Sequence, residues 1–228
     1  MTNSVARDLP ADRYHGGVRV AALGIWLAAI VAAYVVLRWL AGLILGEVGG
    51  LGALLLVLLA VVAAQPLAYL GERQLVKRWP SGKALRLEPA GLVWRERDVA
   101  TEFNLDQPMS YWRWRFVVKR RRAGRVPGGH HLFALRLLQG EAEVNVYTFL
   151  APPAADALAA RMSFYELRRP SDTGRPGLGG REAVYLAAEE ARWASGAELD
   201  PADFETLLAH LAERSTAFDS SSASTLNA

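Results

Sequence analysis

The chain of 228 residues contains no cysteine. That excludes a disulfide framework, thiol catalysis and thiolate metal sites. Histidine is nearly as scarce, with 4 in all. His130 and His131 are adjacent at a loop-to-strand junction, and neighbours on a strand point to opposite faces, so they make no chelating pair. His15 and His210 stand apart, at no spacing expected of metal ligands. Nucleophile-elbow, Walker and dinucleotide-binding patterns are also missing. Gly177-Leu178-Gly179-Gly180 has no strand before it and no Lys-Ser/Thr after it, and reads as linker. Glu189-Glu190 and Asp203/Glu205 read as solvated helix faces, whereas paired carboxylates in acid–base work need a pocket that shifts their pKa values. No catalytic residue, metal or cofactor is assigned, and the chain is expected not to be an enzyme. An enzyme with a dispersed site is the competing class.

Charge is absent over a long stretch. Between Val20 and Gly71 the only charged residues are Arg38 and Glu47. The first apolar run covers roughly 18–45, and its charge-free part Val20–Leu37 alone approaches the ~20 residues that cross a hydrocarbon layer; the second covers about 51–70. Arg7, Arg13 and Arg19 precede the first run in the manner of a signal peptide. The run is too long for that role, lacks a small-residue cleavage site and is followed at once by a second, so a retained span is expected. Glu47, Gly49 and Gly50 make the turn. Gln65 and Pro66 fall near the end of the second span, where the Pro is expected to kink it. Gly24, Ala28 and Ala32 recur every four residues, the small-residue spacing that lets membrane helices approach closely. Arg73, Lys77, Arg78 and Lys83 follow the second span. The positive-inside rule then places both termini in the cytoplasm, with two spans in a bacterial-type inner membrane.

The remaining charge is graded. Residues 84–150 carry eleven Lys/Arg against seven acids, and residues 151–228 carry seven against twelve. The basic part adjoins the spans and suits an anionic lipid surface. Nucleic acid would be attracted too, but a tethered domain meets lipid first, and no nucleic-acid partner is expected.

Beyond Trp79-Pro80-Ser81-Gly82 the texture changes to short strands. Ala84–Glu88 and Leu92–Glu96 flank a Pro-Ala-Gly turn, and Thr101–Leu105 reads as a third strand. Met109–Arg120 alternates, with Trp112, Trp114, Phe116 and Val118 on one face and Tyr111, Arg113, Arg115, Val117 and Lys119 on the other, the period of a half-buried strand. Tyr111, Trp112 and Trp114 are expected in packing. His131–Leu138 and Glu143–Leu150 form a hairpin, and Ala154–Leu167 reads as an amphipathic helix with Leu158, Met162 and Tyr165 inward.

Two spans, then "ALRLEPAGLVWRE", the Trp-bearing strand of "LDQPMSYWRW", a hairpin, and a helix after "TFLAPPAA" resemble the bacterial pleckstrin-homology-like (PH-like) domains found on small membrane proteins. The resemblance covers about residues 1–168. It implies a seven-stranded bent barrel with a C-terminal helix and usually no enzymatic activity. It also implies that a strand-and-loop edge such as Arg113, Arg115, Lys119, Arg120, Arg121, Arg122 and Arg125 can hold a phosphorylated headgroup.

The expected fold is an α+β membrane protein. It has a cytoplasmic tail (1–17), a two-helix transmembrane hairpin (18–71) and a small antiparallel β-barrel or sandwich of PH-like type with its closing helix (82–168). A linker (169–180), an acidic helical hairpin (181–214) and a disordered tail (215–228) complete it. Asp200-Pro201-Ala202-Asp203 carries the marks of a helix start. The expected role is a scaffold, assembly or regulatory protein at the cytoplasmic face. Its expected partners are anionic membrane lipids and a protein, or a second copy of the chain, bound through the spans or residues 181–214. The alternative role is an anionic-lipid sensor using the basic strand and loop 113–125.

Overall fold

The computed structural model describes residues 6–46, 49–118, 126–167 and 180–214, without the side chains of Leu45 and Arg181. The linker over 169–179, the tail over 215–228 and the basic loop over 119–125 lie outside those residues. The chain divides into two units, residues 13–81 and residues 1–12 together with 82–228.

The first unit is a pair of long helices, α1 (Gly16–Leu45) and α2 (Gly50–Arg78). At 1.5 Å per residue each is about 45 Å long, more than the ~30 Å of a hydrocarbon layer. Gly46 ends α1 with φ of 74°, a conformation that favours glycine. Pro66 sits inside α2 without ending it. The helices meet along a seam in which α2 presents Ala60 and Ala64, both fully buried. Gly71 continues that seam, and a Cβ there would stand 3.0 Å from Ile25 Cγ2. Outward, the pair is apolar and uncovered: Leu51 is 83% exposed and Val62 68%. Only 6% and 11% of the two most apolar windows is buried, unlike the core helix of a water-soluble domain. Both helices are long and apolar enough to cross a membrane.

The open end of the pair is fastened. His15, at the start of α1, packs its ring edge-on against Trp79 at the end of α2, with centroids 5.4 Å apart. Its Nε2 lies 3.2 Å from the Trp79 carbonyl oxygen.

The second unit is α+β. Its first sheet is antiparallel, in the order β1 (Arg7–Pro10), β2 (Lys83–Glu88), β3 (Gly91–Glu96), β4 (Val99–Asn104). The second sheet has the antiparallel strands β5 (Ser110–Val117), β6 (His131–Gln139) and β7 (Ala142–Leu150). Two short parallel strands border it, β8 (Tyr165–Glu166) beside β5 and β9 (Ala197–Glu198) beside β7. Three helices complete the unit: α3 (Pro152–Arg161), α4 (Gly180–Ser195) and α5 (Pro201–Arg214).

Alternation builds the main core. Leu9, Leu85, Leu87, Leu92 and Phe103 from the first sheet meet Phe133, Leu135, Leu137, Val144 and Val146 from the second. Leu158 of α3 and Phe204, Leu207, Leu208 and Leu211 of α5 join the same cluster. A second cluster on the other face of the mixed sheet puts Trp114, Leu132 and Ala134 under Tyr185 and Ala188 of α4. The mixed sheet is therefore covered on both faces, and β5 is not the half-buried strand that its alternation suggests.

Three expectations change. Residues 7–10 are a strand, not a free tail, because Leu9 fills the core opposite Leu85. The residues leave open whether the acidic helical hairpin packs on the β domain or on a partner, and helices α4 and α5 dock on this same unit. Helix α3 stops at Arg161, since Met162 turns extended (φ −146°, ψ 135°) and leads into β8. The described residues form no closed barrel, because β4 and β5 belong to different sheets joined through a turn. The sheets are stitched instead. Ala11 bridges to Leu199, and the Gln139 side-chain amide takes the place of a strand on Asn104, with two bonds of 2.8 Å.

Leu9→Ala should destabilise the β unit by about 2–5 kcal/mol, the usual cost of emptying a fully buried leucine site. Tryptophan-monitored urea unfolding in detergent measures this. An unchanged midpoint would mean that residues 7–10 do not pair.

Candidate functional site

Three groups of side chains repay inspection, and the first lies where the β unit continues into the helix pair. The two non-glycine residues with positive φ among those described are Asp12 (49°) and Arg97 (54°), and both stand here. Asp12 accepts from the Glu198 backbone N–H through Oδ1 at 2.8 Å, and its own N–H donates to the Glu198 carbonyl at 2.8 Å. Lys83 Nζ lies 3.3 Å from Asp12 Oδ2 and 3.4 Å from Glu96 Oε1. The Arg97 N–H donates to the Gly82 carbonyl at 2.7 Å. Left-handed backbone in a non-glycine residue costs roughly 1–2 kcal/mol, and it persists here because these bonds hold it. The two chain passages, at residues 12 and 82, are thereby fixed to β9 and to the β3–β4 turn.

The second group is a polar knot beneath α4. Glu189 accepts from Trp114 Nε1 at 2.8 Å and from Arg192 Nε at 2.7 Å, with a second bond from Arg192 Nη2. Arg192 is 3% exposed and lies over the Tyr147 ring, 4.7 Å from its centroid. A buried guanidinium needs such partners, and removing one of a buried pair typically costs 3–5 kcal/mol. Glu189 is thus a structural ligand of the sheet and not a solvated face. Asp203 is likewise buried, with Arg7 Nη2 3.5 Å from its Oδ1. On the open part of the same sheet Arg136 stands over Trp112 at 5.4 Å and bonds Glu143 at 2.7 Å. Burial raises the Glu143 pKa, but the hydrogen bonds from Arg136 and Asn145 outweigh it and hold the carboxyl below its ordinary range.

The third group is the basic set. Arg113 is 5% exposed, on the core-facing side of β5, and offers no open cationic surface. Arg115 is half-buried and lines an open cleft of about 340 Å³ with Arg161, Ser163 and Phe164. Arg161 is already paired with Glu205 at 2.8 Å. Lys119, Arg120, Arg121, Arg122 and Arg125 lie outside the described residues. Their flanks close on each other: Val118 donates to the His130 carbonyl and Gly129 to that of Val118, at 2.8 and 3.0 Å. Gly24, Ala28 and Ala32 all lie on exposed positions of α1, away from the seam. The small residues that make the seam are Ala60, Ala64 and Gly71 of α2.

A second open cleft, about 220 Å³, is lined by Arg7, Glu88, Thr206 and His210. Among the described residues no three His, Asp or Glu side chains gather as a metal site. The Glu189–Arg192 pairing had a sequence signal, three residues apart on a helix. The Asp12–Lys83–Glu96 group had none. Comparison with known protein families, curated proteins and solved structures finds no match for this chain.

His210 gives the β unit a pH dependence. Burial, with Arg214 nearby, pulls its pKa below 6.5 against the opposing carbonyls of Gly91 and Glu88. Its contribution is intact above pH 6.5. As the pH falls further, the unfolded chain takes a proton that the folded one resists, and stability declines until the folded pKa is passed. His210→Gln should flatten urea midpoints measured between pH 5 and 7; an unchanged slope would remove His210 from the account.

Proposed function

We propose that this is a non-catalytic protein anchored in a membrane by α1 and α2, whose β unit, of PH-like type, holds or assembles a partner at the lipid surface. The observation that carries the reading is the pairing of β1 with β2. Residues 7–10 and 83–88 are neighbouring antiparallel strands, with Pro10 opposite Ala84, so the helix pair is an insertion in a β-hairpin. If α1 and α2 cross a bilayer, both of their outer ends must lie on the β unit's side, because the strands they continue are hydrogen-bonded to each other. The flanking Arg13, Arg19, Arg73, Lys77 and Arg78 make that side the cytoplasmic one, in a bacterial-type inner membrane.

The PH-like reading is supported by an antiparallel sheet and a mixed sheet around one core and by α3 following the last long strand. β1, supplied from before the spans, and the docked α4 and α5 are additions to that plan. The non-catalytic reading is supported by carboxylates that are engaged structurally, Glu189 with Arg192 and Glu143 with Arg136. A sensor of anionic lipid is the second reading. Residues 119–125, outside the described residues, carry Lys119, Arg120, Arg121, Arg122 and Arg125, which a headgroup surface would attract at about 1 kcal/mol per cation. Arg113, buried, takes no part.

Two measurements test the proposal. Since the chain has no cysteine, Gly49→Cys and Glu141→Cys give single labelling sites. A membrane-impermeant maleimide should modify the first in spheroplasts and the second only after lysis; the reverse pattern, or recovery in the soluble fraction, overturns the topology. Purification in mild detergent should yield a second protein, or further copies of this chain, at fixed stoichiometry. A concentration-independent monomer overturns the scaffold role.

A further inference from the structure

We infer that the outer edge of β4 pairs with the same edge of a second copy of this chain, antiparallel about a two-fold axis at Thr101. The inference deepens one branch of the proposed function, the binding of further copies, and rests on that reading for its role but not for its geometry. Strand β4 is the last of the first sheet. Along an antiparallel strand, successive residues turn their backbone groups to opposite sides. The Leu105 N–H donates to the Ala90 carbonyl, just ahead of β3, at 3.1 Å. Asn104 turns its N–H and its carbonyl the other way, to the Gln139 side chain. By the same alternation Ala100 and Glu102 present their N–H and carbonyl groups outward, and no group among the described residues takes them. The edge also lacks the usual protections: Val99–Asn104 holds no Pro and no Lys, and Glu102 is its one charged residue.

Open backbone groups call for an extended segment, and the side chains point to β4 itself. With Thr101 opposite Thr101, Ala100 of each copy faces Glu102 of the other. Both pairs are of the hydrogen-bonded kind, so every outward N–H and carbonyl of Ala100 and Glu102 finds a partner. Charge favours this register. Within one copy Arg95 is the cross-strand partner of Ala100. The second copy's Glu102 then stands on the far side of Ala100 from Arg95, on the same face, two strand spacings of ~4.8 Å away. Only the Ala100 methyl lies between the two long side chains. Arg95 and Glu102 are exposed, and neither has a partner among the described residues. The two-fold axis makes this ion pair twice. The neighbouring registers oppose like charges, which destabilises a sheet: centring on Ala100 sets Glu102 opposite Asp98, and centring on Glu102 sets it opposite itself.

The test uses the full chain in mild detergent. A non-hydrogen-bonded antiparallel pair has Cα atoms about 4.5 Å apart, within disulfide reach. Because the chain has no cysteine, Thr101→Cys should give a disulfide-linked dimer under mild oxidation, while Glu141→Cys on the β6–β7 turn should not. Light scattering should give the unmodified chain twice its monomer mass. Ala100→Pro, which removes an outward N–H and leaves the bonds to β3 in place, should halve that mass. A Thr101→Cys disulfide yield no higher than that of Glu141→Cys overturns the inference, whether or not Ala100→Pro folds. So does an assembly whose mass Ala100→Pro leaves unchanged, or a monomer bound to a different protein at fixed stoichiometry; both leave the scaffold reading standing. A concentration-independent monomer with no other protein overturns that reading, and this inference with it.

Discussion

The pairing of β1 with β2 across an insertion of two long helices is the constraint on which the rest depends. Four residues ahead of α1 supply the edge of a sheet whose other strands all follow α2. Leu9 closes the core that Leu85, Phe204 and Leu208 share. Asp12 then links that edge to β9, almost at the other end of the chain. The chain thus passes between the two units twice, at residues 12–13 and 81–82.

Polar groups inside the β unit serve the same end. Arg192, Glu189 and Trp114 fasten α4 to the outer face of the mixed sheet, and Arg7 with Asp203 links the first strand to the last helix. Buried ion pairs contribute little net stability compared with apolar packing, but breaking one leaves a charge without a partner. In this register of α4 on the sheet, Glu189 and Arg192 each have a partner.

Much of this was legible in the residues. The apolar run with only Arg38 and Glu47 in it gave the helix pair, and alternation gave β2 to β7 within one to three residues. Three features were hidden, each for a physical reason. Strand β1 is four residues long and polar at all but Leu9 and Pro10, too short for periodicity to register. The coverage of β5 on both faces depends on where α4 lands, which is a tertiary fact. Small residues recur on α1 and α2 alike, and only packing selects Ala60 and Ala64 over Gly24 and Ala28. Of the basic set, Arg113 looked equivalent to Arg115 because strand alternation puts them on one face. Burial separates them: Arg113 is buried and Arg115 only half-buried.

The insertion also dictates an order of events during synthesis. Strand β1 is made before the helix pair, and its partner β2 only after it. Leu199, to which Ala11 bridges, and Asp203, which Arg7 meets, come later still. Closing a long loop carries only a slowly growing entropic cost, but it cannot precede the existence of both ends. Strand β1 is therefore locked long after it is made, and until then the first sheet carries an open edge along β2. Unpaired edges of this kind invite association with other chains. The nascent protein has that exposure while β2 is unpaired, and the folded one has covered that edge with β1.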